Sequence, residues 1–188
     1  INFSVGYLFL YASWYNRLLK ISKKKNLKKI IINWNFSSVN KSESWKRKSM
    51  EGGGIINFYG IHIFALISFL KFNNLNFSNI YKKNKIENIW FAEFSNKDNV
   101  KFIVKLNINS KQTNFKILYN LNKKNIYQKI LFNNKYPFIS KNKDDDYRVE
   151  ILKKYINHVI KFGQSKSLHL KILSIWNKVN KNNKIIKL

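Results

Sequence analysis

The sequence predicts an α+β chain: N-terminal helices, a four-stranded antiparallel meander and a C-terminal helical hairpin. Three observations carry that prediction. Between residues 88 and 132, apolar residues alternate with Lys, Asn and Ser at the strand period. From residue 149 onward, Ile151, Leu152, Tyr155, Ile156, Val159 and Ile160 recur at the helical period. Ahead of both lie two uncharged apolar stretches, residues 1–16 and 54–70.

Residues 3–19 predict a helix. Residues 20–33 carry a basic run, with Lys20, Lys23, Lys24, Lys25, Lys28 and Lys29, and end in three isoleucines. Residues 35–54 predict a loop that holds Trp45-Lys46-Arg47-Lys48 and Gly52-Gly53-Gly54. Residues 55–72 are the most apolar stretch. Strands are expected near 88–94, 100–108, 114–121 and 125–132, joined by Asn, Lys, Ser and Asp clusters suited to turns. In the second, Val100, Phe102, Val104, Leu106 and Ile108 face one way, and Lys101, Lys105 and Asn107 face the other. One face of the meander is therefore apolar and the other basic. Gly163 stands where the first C-terminal helix should stop. A second helix is expected over about Ser167–Val179, and the tail Asn180–Leu188 is expected to fray. The domain division expected is 1–87 as a basic, partly helical extension, 88–139 as the meander and 144–188 as the hairpin. Pro137, the single proline, marks the last junction.

Composition limits the function classes. The chain has 188 residues, with 36 Lys+Arg against 9 Asp+Glu, a net charge of +27. Charge at that density repels itself, so a compact state calls for a polyanion or many counterions. A disordered basic tail is excluded by 15 Phe, 10 Tyr and 5 Trp. The absence of cysteine excludes disulfides, thiolate metal sites and cysteine nucleophiles. Lys (33), Asn (29) and Ile (26) dominate, all spelled by A/T-rich codons, while only 3 Arg appear. A surface selected to grip phosphate would use more Arg. The lysine excess reads as mutational bias and points to an organelle-encoded protein of the mitochondrial matrix. The uncharged segment Ile1–Asn16 matches neither a transit peptide nor a signal peptide.

The C-terminal segment resembles the bacterial-type small-subunit ribosomal protein seven family. Near its start that family reads roughly D-P-x-Y-x-S-x-L-V-x-K-x-I-N-x-I-M-x-x-G-K-K-S-x-A. Asp144, Tyr147, Ile151, Leu152, Lys154, Ile156, Asn157, Val159, Ile160 and Gly163 fall at matching or similar positions. After one inserted residue, Ser165-Lys166-Ser167 and Ile172 continue the match. Asp145, Val149 and His169 depart from the family's Pro, Ser and Ala. The resemblance implies a structural, rRNA-binding component of a small ribosomal subunit, with neighbouring ribosomal proteins as partners and a separate chain carrying the rest of the family core. The implied rRNA-binding residues are Arg148, Lys153, Lys154, Lys161, Lys166 and Lys171. Lys23, Lys24, Lys25, Lys46, Arg47 and Lys48 extend that basic surface, since lysines against phosphate position a protein on folded RNA. Trp14, Trp34, Trp45 and Tyr59 are candidates for stacking on bases.

No enzyme is expected. The three histidines, His62, His158 and His169, have no metal-ligand spacing. Asp144-Asp145-Asp146 suits a helix start better than a cation site. Gly52-Gly53-Gly54 lacks the Lys-Ser/Thr of a phosphate loop and reads as a hinge. Neither a cofactor nor a small-molecule substrate is called for. The alternative reading is a small inner-membrane accessory subunit of a respiratory complex, with residues 1–16 and 54–70 as borderline spans.

Overall fold

The computed structural model describes residues 6–37, 49–83, 86–121, 126–134, 137, 149–163 and 166–188. Its centre is a seven-stranded sheet. In chain order the elements are a 3-10 turn at Leu8–Tyr11, α1 (Tyr15–Ser22), β1 (Lys29–Ser37), π-helical turns at Ile55–Gly60 leading into α2 (Ile61–Phe69), β2 (Asn74–Lys83), β3 (Ile86–Ser95), β4 (Lys101–Ser110), β5 (Asn114–Asn120), β6 (Gln128–Asn134), α3 (Val149–Phe162), α4 (Lys166–Asn182) and β7 (Asn183–Lys187). The strand order is β6-β5-β1-β4-β3-β2-β7.

That order corrects the expected four-stranded meander. Strands appear close to the four expected places, but β4 and β5 are not neighbours. β1 lies between them, parallel to β4 (Ile30 beside Phe102, Ile32 beside Val104) and antiparallel to β5 (Ile32 opposite Ile117). Its sequence suits a central position. Ile30, Ile32 and Trp34 are buried on one face, and Ile31 adds a β-branched residue to the other. The same second face also carries Lys29, Asn33 and Asn35. β2 forms an antiparallel pair with β3. The tail expected to fray is instead β7, which pairs in parallel with β2, Ile80 beside Ile185.

α2 explains the most apolar stretch. Ile63, Phe64, Ala65, Leu66, Ile67 and Ser68 are all buried, so this helix is covered on every side. Phe64 meets Trp90 of β3 edge to face, with centroids 5.5 Å apart. Ile172, Ile175 and Val179 of α4 join the same core. Among the described residues, no helix is long and apolar enough to cross a membrane. The apolar run is a core helix, which corrects the membrane reading.

Helices α3 and α4 stand near the expected places, but of the expected α3 stripe Ile151 is buried while Leu152, Ile156 and Ile160 are exposed. Gly163 ends α3 in the left-handed region at φ 67, and its N–H donates to Val159 at 2.8 Å. At the other end of the chain, Phe9 stacks on His62 and lies edge-on to Trp14 and Phe115, so the N-terminal turn closes one side of the core. Trp14 Nε1–H donates to the Pro137 carbonyl at 2.5 Å.

Candidate functional site

The N-terminal turn meets the helical hairpin in a cluster of tyrosines and histidines. Tyr7 is 2% exposed, and its hydroxyl shares a hydrogen bond with His169 Nδ1 of α4 at 2.5 Å. Tyr11 lies edge-on to Tyr155 and to His158 of α3, each with centroids 5.6 Å apart. Burial, with the Tyr155 phenol adding to it, pushes the Tyr7 pKa up to about 12. Tyr11 is raised by the same two causes. Tyr7 therefore keeps its proton at neutral pH. His169 itself is half-buried, so the pair links an interior hydroxyl to a partly exposed residue. Such an arrangement can hold or move a proton at the imidazole.

A second polar feature lies at the start of the α2 segment. Gly54 has φ 87, and a Cβ there would sit 2.8 Å from Glu87 Oε2 and 3.0 Å from Ser49 Cβ. Glu87 is 8% exposed; its Oε2 accepts the N–H of Ile55 at 3.1 Å, and its Oε1 lies 3.4 Å from Lys82 Nζ. The carboxylate thus occupies the positive end of the helix.

The sheet face away from the core forms a third feature. Across β5, β1, β4 and β3, one row runs Lys116, Asn33, Lys105, Phe91; the next runs Leu118, Ile31, Ile103, Glu93. Lys105 Nζ lies 5.3 Å over the Phe91 ring. Phe77 of β2 meets the edge of Phe91 at 5.0 Å. Lys101 bonds Glu93 at 3.0 Å. The expected basic face is therefore present, with β1 and β5 widening it.

The sequence-predicted site residues do not converge. Lys153, Lys154 and Lys161 are exposed on α3, and Lys166 and Lys171 are exposed on α4. Lys154 pairs with Glu150 at 2.8 Å, and Lys161 lies over the Phe162 ring. Lys23, Lys24 and Lys25 follow α1 and are exposed. Arg148, Lys46, Arg47, Lys48 and Trp45 fall outside the described residues. Trp14 and Trp34 are core residues, and Tyr59 packs on Trp34 and Phe36, so these rings are engaged within the protein. Among the described residues no cluster of His, Asp and Glu could hold a metal ion.

Sequence reasoning missed the Tyr7–His169 pair. The two residues stand 162 positions apart. Tyr7 reads as one more aromatic in an apolar run, and His169 as one more polar residue on an amphipathic helix. No local spacing connects them.

No family model matches the chain, and no curated protein matches it. Solved structures do. KijD10, a 3-ketoreductase from Actinomadura kijaniata solved with NADP and TDP-benzene, matches with a TM-score of 0.64 at 7% identity, over 97% of this chain and 62% of its own. A dehydrogenase from Clostridium difficile matches with a TM-score of 0.65 at 10% identity, over 96% of this chain and 62% of its own. This chain therefore spans about three-fifths of the length of these structures. The likeness shows a shared fold. It corrects the ribosomal expectation, together with the expected rRNA, ribosomal-protein and separate-core partners and the expectation of a chain outside the enzymes and without a small-molecule substrate. The resemblance to the ribosomal family rested on a cap, a glycine stop and lysines at helical spacing. Any amphipathic helical hairpin in a lysine-rich chain carries those signals. Here α4 packs into the core beside a seven-stranded sheet whose fold is shared with oxidoreductases.

Proposed function

We propose that this chain is the substrate-side sheet unit of a nicotinamide-dependent oxidoreductase acting between a ketone and an alcohol. The observation that supports it is the likeness of nearly the whole chain to a ketoreductase and a dehydrogenase, with TM-scores of 0.64 and 0.65. Fold likeness alone does not assign chemistry, so the reading also leans on the Tyr7–His169 pair.

Among the described residues, the glycine turn at Gly54 does not fit the dinucleotide. Its phosphates are usually held by free N–H groups at a helix start that follows a glycine turn. Here the Glu87 carboxylate fills the turn at Gly54 and already takes the Ile55 N–H. A second anion would meet a like charge at that place. Most neighbouring strands are also antiparallel, whereas the dinucleotide crevice belongs to parallel sheets. In this reading the cofactor is held by residues other than Gly52–Gly54 and Ile55.

This chain contributes a proton site. The His169 imidazole exchanges a proton with the substrate oxygen, and Tyr7 holds the ring through its Nδ1. The organellar origin expected from the A/T-rich composition belongs to the same proposal.

The test is to isolate the chain under native conditions with whatever binds it, and to follow NADPH consumption with a panel of ketones. Turnover that falls at least tenfold in His169→Gln is expected, at an order typical of a lost acid–base group, ~100-fold. A folded, intact complex without ketone-dependent turnover, or turnover indifferent to His169→Gln, would overturn the proposal.

A further inference from the structure

The face of the sheet away from the core carries lysines around a half-buried apolar centre. Lys29, Lys101, Lys105 and Lys116 project there, with Glu93 as the acidic residue among them. Between them lie Ile31 and Leu118, half-buried, beside Ile103 at 9% exposure and the Phe91 ring. The described helices that enter the core do so with residues grouped on the opposite face, alongside Ile30, Ile32, Phe102 and Val104.

We propose that this face docks a partner protein that presents carboxylates around an apolar patch. The size suits a weak, transient contact. The four strands that carry the patch span three spacings of about 4.8 Å and run about 30 Å, a face of roughly 430 Å². That is about half of what a stable interface takes from each partner. Charge sets the sign. The face is cationic and the chain as a whole carries +27, so an acidic surface gains in both encounter rate and affinity. The same charge disfavours a second copy of this chain, because two such faces would bring lysine against lysine.

A single-stranded nucleic acid would meet the same charge, but the rings argue for protein. Stacking on bases needs a free aromatic face. The Phe91 face is covered by the Lys105 ammonium, and its side is packed against Phe77. The aliphatic centre of Ile31, Ile103 and Leu118 offers burial to apolar side chains and no stacking platform to bases. This inference rests on the sheet face alone and stands apart from the catalytic reading.

The test uses the full chain at physiological salt. A fluorescein-labelled peptide alternating Glu with Val is titrated in, with oligothymidylate of equal charge as the rival. Saturable peptide binding is expected, weakened about tenfold by Lys29→Gln with Lys105→Gln, the order lost with two charge contacts at a partly exposed interface. Lys153→Gln with Lys171→Gln on the hairpin should leave it unchanged. Lys105 should lose reactivity to acetylation in the complex. An equal loss in both double variants would show charge attraction without a site and overturn the proposal. So would tighter binding of oligothymidylate, or self-association that protects Lys105 without peptide. Circular dichroism on each variant ensures that lost binding is read on a folded protein.

Discussion

Glu87 of β3 caps the start of the α2 segment by accepting the Ile55 N–H at 3.1 Å, from 32 residues further along the chain. Its carboxylate lies where residue 54 can have no side chain. Gly54→Ala must both adopt φ 87 and displace that carboxylate. A loss of about 2 kcal/mol or more is expected in urea unfolding. Glu87→Ala should cost about 1–3 kcal/mol by leaving the buried N–H unpaired. The two losses should not add, since each breaks the same cap. Additive losses would mean that the clash at Gly54 is with Ser49 alone.

His62 supplies a pH dependence. Burial pushes its pKa down to about 4, from about 6.5 for the free side chain. Its Nδ1 is buried without a hydrogen-bond partner, and the ring stacks on Phe9 with centroids 5.1 Å apart. The folded state holds the neutral ring, while the unfolded state protonates below about pH 6.5. Stability from this residue is therefore complete above that value. It falls as pH drops through 6 and 5, and levels off below the folded pKa of about 4. The total is on the order of 3 kcal/mol. His62→Phe should flatten the unfolding free energy over this window, measured by urea melts at several pH values.

Lys71 sits in the left-handed region at φ 64, closing α2. The Phe72 N–H donates to Ile67 at 2.9 Å and the Lys71 N–H to Ser68 at 3.2 Å, the pairing of a Schellman cap. That position favours glycine, and a residue with a Cβ is disfavoured there by about 1 kcal/mol. Lys71→Gly should raise stability by up to about 1 kcal/mol, read as a higher melting temperature. An unchanged or lower value would mean that the lysine makes a compensating contact.

Tyr7→Phe removes the hydroxyl that bonds His169 Nδ1 and keeps the ring packing. It should cost about 1 kcal/mol of stability. If the pair serves the proposed reaction, turnover should fall while KM stays close to its original value, because Tyr7 orients the imidazole and does not touch substrate. A rise in KM with unchanged kcat would place Tyr7 in substrate binding instead.

Much of the local structure was legible in the residues. The alternation in Val100–Ile108 lies on β4, the stripe Ile151–Ile160 on α3, and Gly163 ends that helix. These signals are local, because each is set by the period of one element or the backbone freedom of one residue. β1 was hidden because Ile31 interrupts the alternation of Ile30, Ile32 and Trp34 with Lys29, Asn33 and Asn35. β7 was hidden because Asn183–Lys187, polar and short, forms a strand only through its pairing with β2. The Tyr7–His169 pair had no sequence signal at all.

By itself, then, the sequence determined a strongly basic chain with an apolar core, most of its strands, its two C-terminal helices and the cationic face of its sheet. Those properties follow from composition and short-range period. Only the tertiary structure decided that β1 separates β4 from β5, that Glu87 seals the glycine turn and that Tyr7 meets His169. Each is a contact between segments far apart in the chain. Such contacts are selected by how buried surfaces fit together, a quantity that no local pattern encodes.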